Sequence, residues 1–337
     1  MSLLTHNTQL SSLDGNKTNS VAYAFDFRQP LLLLYLLYTI PSFVAYYKCR
    51  KVLSSSGNMT GGHFNVIFAN DFYINVALFI IDFLFTRLPI SGLFERLPEY
   101  VPSGFGLTVI YFLSYYLIYA NFLSITVICF NRMSSVVFPY SCNWFWQRFV
   151  KIAIALIYIL PLLVTWQMLT YDSYFFVLYD QQSNLQLVYR YTFTYPFMIR
   201  NSVALFAVST FLAVVCVLAN FVTILGYKKA IALTLNGQVQ QNEFHRRRTR
   251  KTELAMFSVA FVVCLSLVLQ AILQALIMIY TSSGLDIRGI CQDLRAFPID
   301  VAICCPTWIL YYTTVYSRRT TVVTSSAVPS RTGAVNK

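Results

Sequence analysis

Few side chains in this sequence stand where they could do covalent chemistry. The histidines are His6, His63 and His245, and none lies at metal-ligand spacing from another histidine or a cysteine. The sequence has no phosphate-cradling glycine loop and no Gly-x-Ser-x-Gly elbow. It therefore carries no enzyme constellation, no metal site and no cofactor motif. The informative polar residues are instead embedded in apolar runs. Ser266, Gln270 and Gln274 follow one another at four-residue intervals, and Asp300, Cys304, Thr307 and Tyr311 recur in another run. Ser114, Asn121, Ser124 and Asn131 occupy a third, which also holds Tyr111, Tyr115 and Tyr119; Asp71 and Asp82 share a fourth. At 3.6 residues per turn each of the first three sets falls on one helix face.

Such residues do hydrogen-bond recognition. An amide or carboxylate is costly in hydrocarbon, so these faces must look into a bundle. Tyr115, Tyr119, Gln270, Gln274 and Asp300 are expected to line a pocket for a small, mostly apolar molecule, the tyrosines giving apolar faces with one polar handle. The plainer alternative is interhelical hydrogen bonding, worth about 0.6 kcal/mol per pair. Tyr111 is equally explained as a membrane-interface residue. Asp71 lies about 10 Å into its run and should be paired there. Asp82 is near the opposite end and within reach of water, and either carboxylate could hold an ion.

The elements that position these residues are membrane spans. Apolar residues make up 57% of the 337, and charged residues only 11%, against about a quarter in a soluble domain. Seven stretches are long enough to cross a bilayer, at 30–47, 64–85, 105–130, 149–169, 203–227, 254–280 and 296–316. Their length and uniform apolarity predict an all-α membrane protein, a seven-transmembrane-helix bundle, rather than barrel strands. Residues 1–29 form a polar tail with no apolar signal core, so the first span is expected to act as its own insertion signal. Residues 320–337 form a second tail, rich in Ser and Thr, which is expected to be disordered and open to phosphorylation.

Charge orients the bundle. The flanks holding Lys48, Arg132, Arg148, the 228–251 loop and the C-terminal tail carry 17 of the 25 basic residues, with Glu243 and Glu253 as their acids. The opposite flanks carry the other eight basic residues, balanced by eight acids. The positive-inside rule then puts the N-terminus outside and the C-terminus in the cytoplasm, and it accounts for the net charge of +12 without a nucleic-acid partner. Asn16 becomes an exposed glycosylation acceptor, while Asn58, also in a sequon, is cytoplasmic. Cys291 is the one cysteine on the outer side, so no disulfide within the chain is expected there.

The third span ends in Asn131-Arg132-Met133-Ser134-Ser135-Val136-Val137-Phe138-Pro139, and Trp144-Phe145-Trp146 stands just beyond it. This stretch resembles nematode serpentine chemoreceptors of the class-gamma (Srg) family. Pro306-Thr307-Trp308-Ile309 and Ser317-Arg318-Arg319 are also similar. The resemblance runs from about Val21 to Arg319. It implies a G-protein-coupled receptor in the plasma membrane of sensory neurons. Asn131-Arg132-Met133 would take the place of the Asp-Arg-Tyr motif of rhodopsin-like receptors, with Arg132 carried over. Asn131 replaces the acid, so no acid–arginine lock forms between neighbours. The seventh span has Cys305-Pro306 in place of Asn-Pro, and the sixth has no proline.

The expected activity is therefore ligand-dependent signalling to a heterotrimeric G protein. Asn131, Arg132 and Met133 would receive it together with Arg246, Arg247 and Arg248. On charge alone Arg132 is also a positive-inside flank. The arginine cluster would equally attract anionic lipid, at about 1 kcal/mol per basic residue. A ligand-gated channel or transporter is the alternative, but the long unbroken spans show neither repeats nor broken helices.

Overall fold

A computed structural model describes residues 28–55, 62–91, 104–170, 173–180, 185–192, 201–235, 243–283 and 294–316. They form seven helices and one hairpin. Helix α1 is Arg28–Ser55 and α2 is Gly62–Asp82, prolonged by a π turn at Phe83–Arg87 and a last α turn at Leu88–Ile90. Helix α3 is Phe105–Val137, and α4 is Cys142–Thr165 with a 3₁₀ turn at Trp166–Thr170. Helices α5 and α6 are Asn201–Leu235 and Glu243–Ser283. Helix α7 is Ala296–Leu310, followed by a π segment at Tyr311–Tyr316.

Six of these helices are long and apolar enough by themselves to cross a membrane. The seventh has 15 residues of α-helix and needs its six-residue π segment to approach the roughly 20 required. Each expected span coincides with one helix. The segment 228–251, expected as a loop, is largely helical instead, because α5 runs on to Leu235 and α6 starts at Glu243. The cause is local: Lys, Ala, Leu, Arg and Glu dominate these extensions and all are strong helix formers. Between the fourth and fifth spans, residues Ser173–Asp180 and Leu185–Thr192 pair as antiparallel strands β1 and β2, with Ser173 opposite Thr192 and Asp180 opposite Leu185. Their aromatic and β-branched content favours strand over coil.

Helix α3 is the axis of the bundle. Of its most apolar stretch 67% is buried, against 22% for the peripheral α4. It packs on α2, α4, α5 and α6, while α1 lies against α7 and α2, and α6 between α5 and α7. One core cluster joins α2, α3, α5, α6 and α7 through Leu78, Tyr119, Phe122, Leu205, Leu267 and Ile303. A second, towards the other end, gathers Tyr46, Phe64, Phe68, Trp146, Met256 and Leu310. Outward faces carry Leu33, Leu37, Phe211, Leu218 and Phe261, an apolar exterior that water would not tolerate over so large an area.

Two glycines matter for this packing. Gly104, at φ 142°, starts α3, and its N–H donates to the Ser173 carbonyl at 3.3 Å, which ties β1 to the helix. Few residues other than glycine adopt that φ. On α5, a Cβ at Gly226 would lie 2.8 Å from Val136 Cγ1 of α3. Glycine therefore sets how closely α3 and α5 approach at the Arg132 end.

Candidate functional site

The end of the bundle where α3 begins holds a buried ion-pair cluster. Arg87 donates from its two terminal nitrogens to the two carboxylate oxygens of Asp300, both at 2.8 Å, and from Nε to Asp82 at 2.7 Å. The Arg87 side chain is 4% exposed and that of Asp300 5%. Tyr38 of α1 donates its hydroxyl to Asp300. The guanidinium also lies 4.5 Å from the Tyr35 ring centre and 5.3 Å from that of Phe79. Helices α1, α2 and α7 thus meet on one arginine. Bidentate geometry and shared aromatic faces suit guanidinium rather than ammonium.

The π turn aims this arginine. Asp82 and Arg87 are five residues apart, which on a regular α-helix separates them by about 140°. In a π turn, whose backbone bonds span five residues, the two stack on one face. The Leu88 N–H accordingly donates to the Phe83 carbonyl.

Gln270 and Gln274 are 1% and 3% exposed, so α6 turns both inward. Both polar atoms of Gln270, the amide nitrogen of Gln274 and the hydroxyl of Tyr119 are buried with no hydrogen-bond partner among the described residues. Gln270 is therefore not bonded to Asp300, which Arg87 and Tyr38 occupy. Tyr119 belongs to the main core cluster and the partly buried Tyr115 packs against it, and Arg295 lies 5.5 Å from the Tyr115 ring centre. The small hydroxyls of the same stripes, Ser114, Ser266 and Thr307, donate back to carbonyls of their own helices.

Further along, Asp71 is surrounded by neutral donors. Ser124 donates to Oδ1 at 2.7 Å; Asn75 and Tyr46 donate to Oδ2 at 2.8 and 2.9 Å. Asn121 donates in turn to Asn75 at 2.6 Å. This network joins α1, α2 and α3. Asn220 of α5 donates to the Cys216 carbonyl at 2.9 Å and, more weakly, to the Ala260 carbonyl of α6 and the Cys129 sulfur of α3.

At the far end of α3, Arg132 places its guanidinium carbon 3.9 Å from the ring centre of Phe64 on α2. Asn131 is buried beside it, and Met133 packs against the main cluster. Trp146 of α4 donates to Ser134 at 2.7 Å, and Ser134 donates to the Asn131 carbonyl at 3.0 Å. Arg246, Arg247 and Arg248 fall on the first turns of α6, with their side chains outside the described residues. Asn16, Asn58, Cys291 and the C-terminal tail also lie outside the described residues.

From the sequence, Arg87 counts among the flanking charges and Asp82 stands within reach of water; the structure adds that the two are paired and that Arg87 reaches Asp300 as well. The signal was the unusual five-residue spacing of an acid and an arginine at a helix end. Tyr38 and Tyr46 gave no signal, since their roles depend on how α1 is rotated against its neighbours.

Seven apolar helices with charged and amide groups turned inward define a helical, multi-pass membrane protein. Residues 32–318 match the model of the Srg family chemoreceptors, and the chain belongs to that family, whose members are receptors rather than enzymes in the plasma membrane. A relative in Caenorhabditis elegans, serpentine receptor class gamma-20, is 34% identical over 114 residues, which is 33% of this chain and 33% of that protein. The alignment thus spans about a third of the relative's length.

Proposed function

We propose that this chain is a chemosensory G-protein-coupled receptor. A small molecule binds between α3, α6 and α7 at the Gly104 end, which faces outside. It favours a conformation whose Arg132 end engages a heterotrimeric G protein, by binding that conformation more tightly than the resting one. The observation supporting the ligand end is the inward pair Gln270 and Gln274 with Tyr119, which between them bury four polar atoms that have no hydrogen-bond partner among the described residues. Asp300 contributes through Arg87 and Tyr115 through its ring. From Tyr119 to Arg132 is about 20 Å along α3, and the Asp71 network lies between them. Asn131, Arg132 and Met133 form the receiving surface with Arg246, Arg247 and Arg248, which also attract anionic lipid.

The test is a small-molecule screen in cells with a G-protein activation readout. An agonist response that disappears in Arg132→Ala at equal surface level is expected. Full signalling by that variant would remove Arg132 from coupling.

The orientation has its own test. Asn16→Gln should abolish a glycosylation shift on gels, and Asn58→Gln should leave it unchanged. The motive is the 17-to-8 division of basic residues. A shift that vanished with Asn58→Gln instead would invert the bundle.

A further inference from the structure

The unpartnered groups at the Gly104 end state what kind of molecule fits them. Each is a buried polar atom with no hydrogen-bond partner among the described residues, a costly condition that a well-packed core avoids. Tyr119 offers one O–H, the amides of Gln270 and Gln274 offer N–H groups, and Gln270 Oε1 offers an acceptor. None of them is charged.

The charges at the same end are already committed. Arg87 is held by Asp82 and Asp300. Arg295 stacks on Tyr115 and lies within electrostatic reach of Asp82. These two arginines and two aspartates balance, so among the residues whose side chains are described an ionic ligand meets no spare counter-charge at this end. Burying an ion without one is far more costly than burying a neutral polar group. Around Tyr119, the same core cluster supplies apolar surface from Leu205, Leu267 and Ile299.

We propose that this site takes an uncharged ligand, largely apolar, with a carbonyl-type acceptor for the Tyr119 hydroxyl and the glutamine N–H groups. A hydroxyl or N–H on the same molecule donates to Gln270 Oε1. The proposal rests on the reading of this end as the ligand site. It excludes carboxylates and ammonium ions as principal ligands.

The test uses full-length receptor in phosphatidylcholine nanodiscs, followed by thermal unfolding, with no G protein present. Leucine is close in volume to glutamine and removes only the amide. In the ligand-free protein, Gln270→Leu and Gln274→Leu should each raise Tm, by about 2–4 °C. If Gln270→Leu does not fold, Gln270→Met takes its place. In a second arm, benzamide, benzoate and benzylammonium are compared at equal concentration. Benzamide should raise the Tm of the wild-type protein and not that of Gln270→Leu, while the two ions give no shift.

A fall in Tm for either leucine variant would show that the amides hold the bundle together, and the site would be lost. A larger shift with benzoate or benzylammonium than with benzamide, or none with benzamide, would overturn the ligand class. Neither arm depends on coupling, so a negative result for Arg132→Ala leaves these outcomes standing.

Discussion

Arg87→Met should destabilise the bundle by about 3–5 kcal/mol, the cost of removing one partner from a buried ion pair. The argument is one of charge. With the guanidinium gone, the Asp300 carboxylate keeps the Tyr38 hydroxyl but no counter-charge, and its side chain is 5% exposed. Asp82 suffers less, since its side chain is 17% exposed and meets water. Asp300→Leu alone should also be costly, because Arg87 then retains Asp82 as its one carboxylate. The double variant Arg87→Met/Asp300→Leu should recover much of the loss, because both buried charges leave together. A thermal-unfolding double-mutant cycle in nanodiscs measures this coupling. Single losses below about 1 kcal/mol, or losses that simply add, would mean that the three charges do not act as one unit.

The second large effect is expected at the opposite end, where Phe64→Leu should raise ligand-free G-protein activation about tenfold. Asn131 stands where an acid would neighbour Arg132, and the Phe64 ring takes up the guanidinium face at 3.9 Å. With Phe64 buried and Arg132 partly exposed, a cation–π contact contributes about 1–2 kcal/mol. A shift of about 1.4 kcal/mol between two conformations is already a factor of ten. Leucine keeps most of the volume in the stack that Phe64 makes with Phe68, at 5.7 Å between ring centres, but has no π face to offer. Phe64→Trp should hold basal activity at or below the wild-type level. Nucleotide exchange per surface receptor is the measurement. Unchanged or reduced basal exchange in Phe64→Leu would mean that the contact does not restrain Arg132.

These contacts mark how far the sequence could be read. All seven spans were legible, because lipid demands long apolar runs. The inward direction of Gln270 and Gln274 was legible too, since a four-residue spacing survives on any regular helix. Arg87 was not, because its direction depends on a π turn that no periodicity announces. The donors around Asp71 come from α1 and α3 as well as α2, so Tyr46 and Ser124 become visible only when the helices are packed. The strands in 173–192 were hidden in a segment too short and polar at its ends to weigh against a loop. The helical extension of α5 and α6 was hidden by charge, which marks departure from the membrane but does not end a helix.

The turn at Phe83–Arg87 has a consequence for how such receptors can diverge. It accommodates one residue more than an ordinary turn while the helix axis continues on both sides. A sister sequence shorter by one residue between Asp82 and Arg87 would close this turn into regular helix and leave the bundle in place. Its arginine would then stand four residues from the aspartate, about 40° around the axis, and still face Asp300. The π turn is thus the place in α2 where one residue can be gained or lost while the ion pair stays in register.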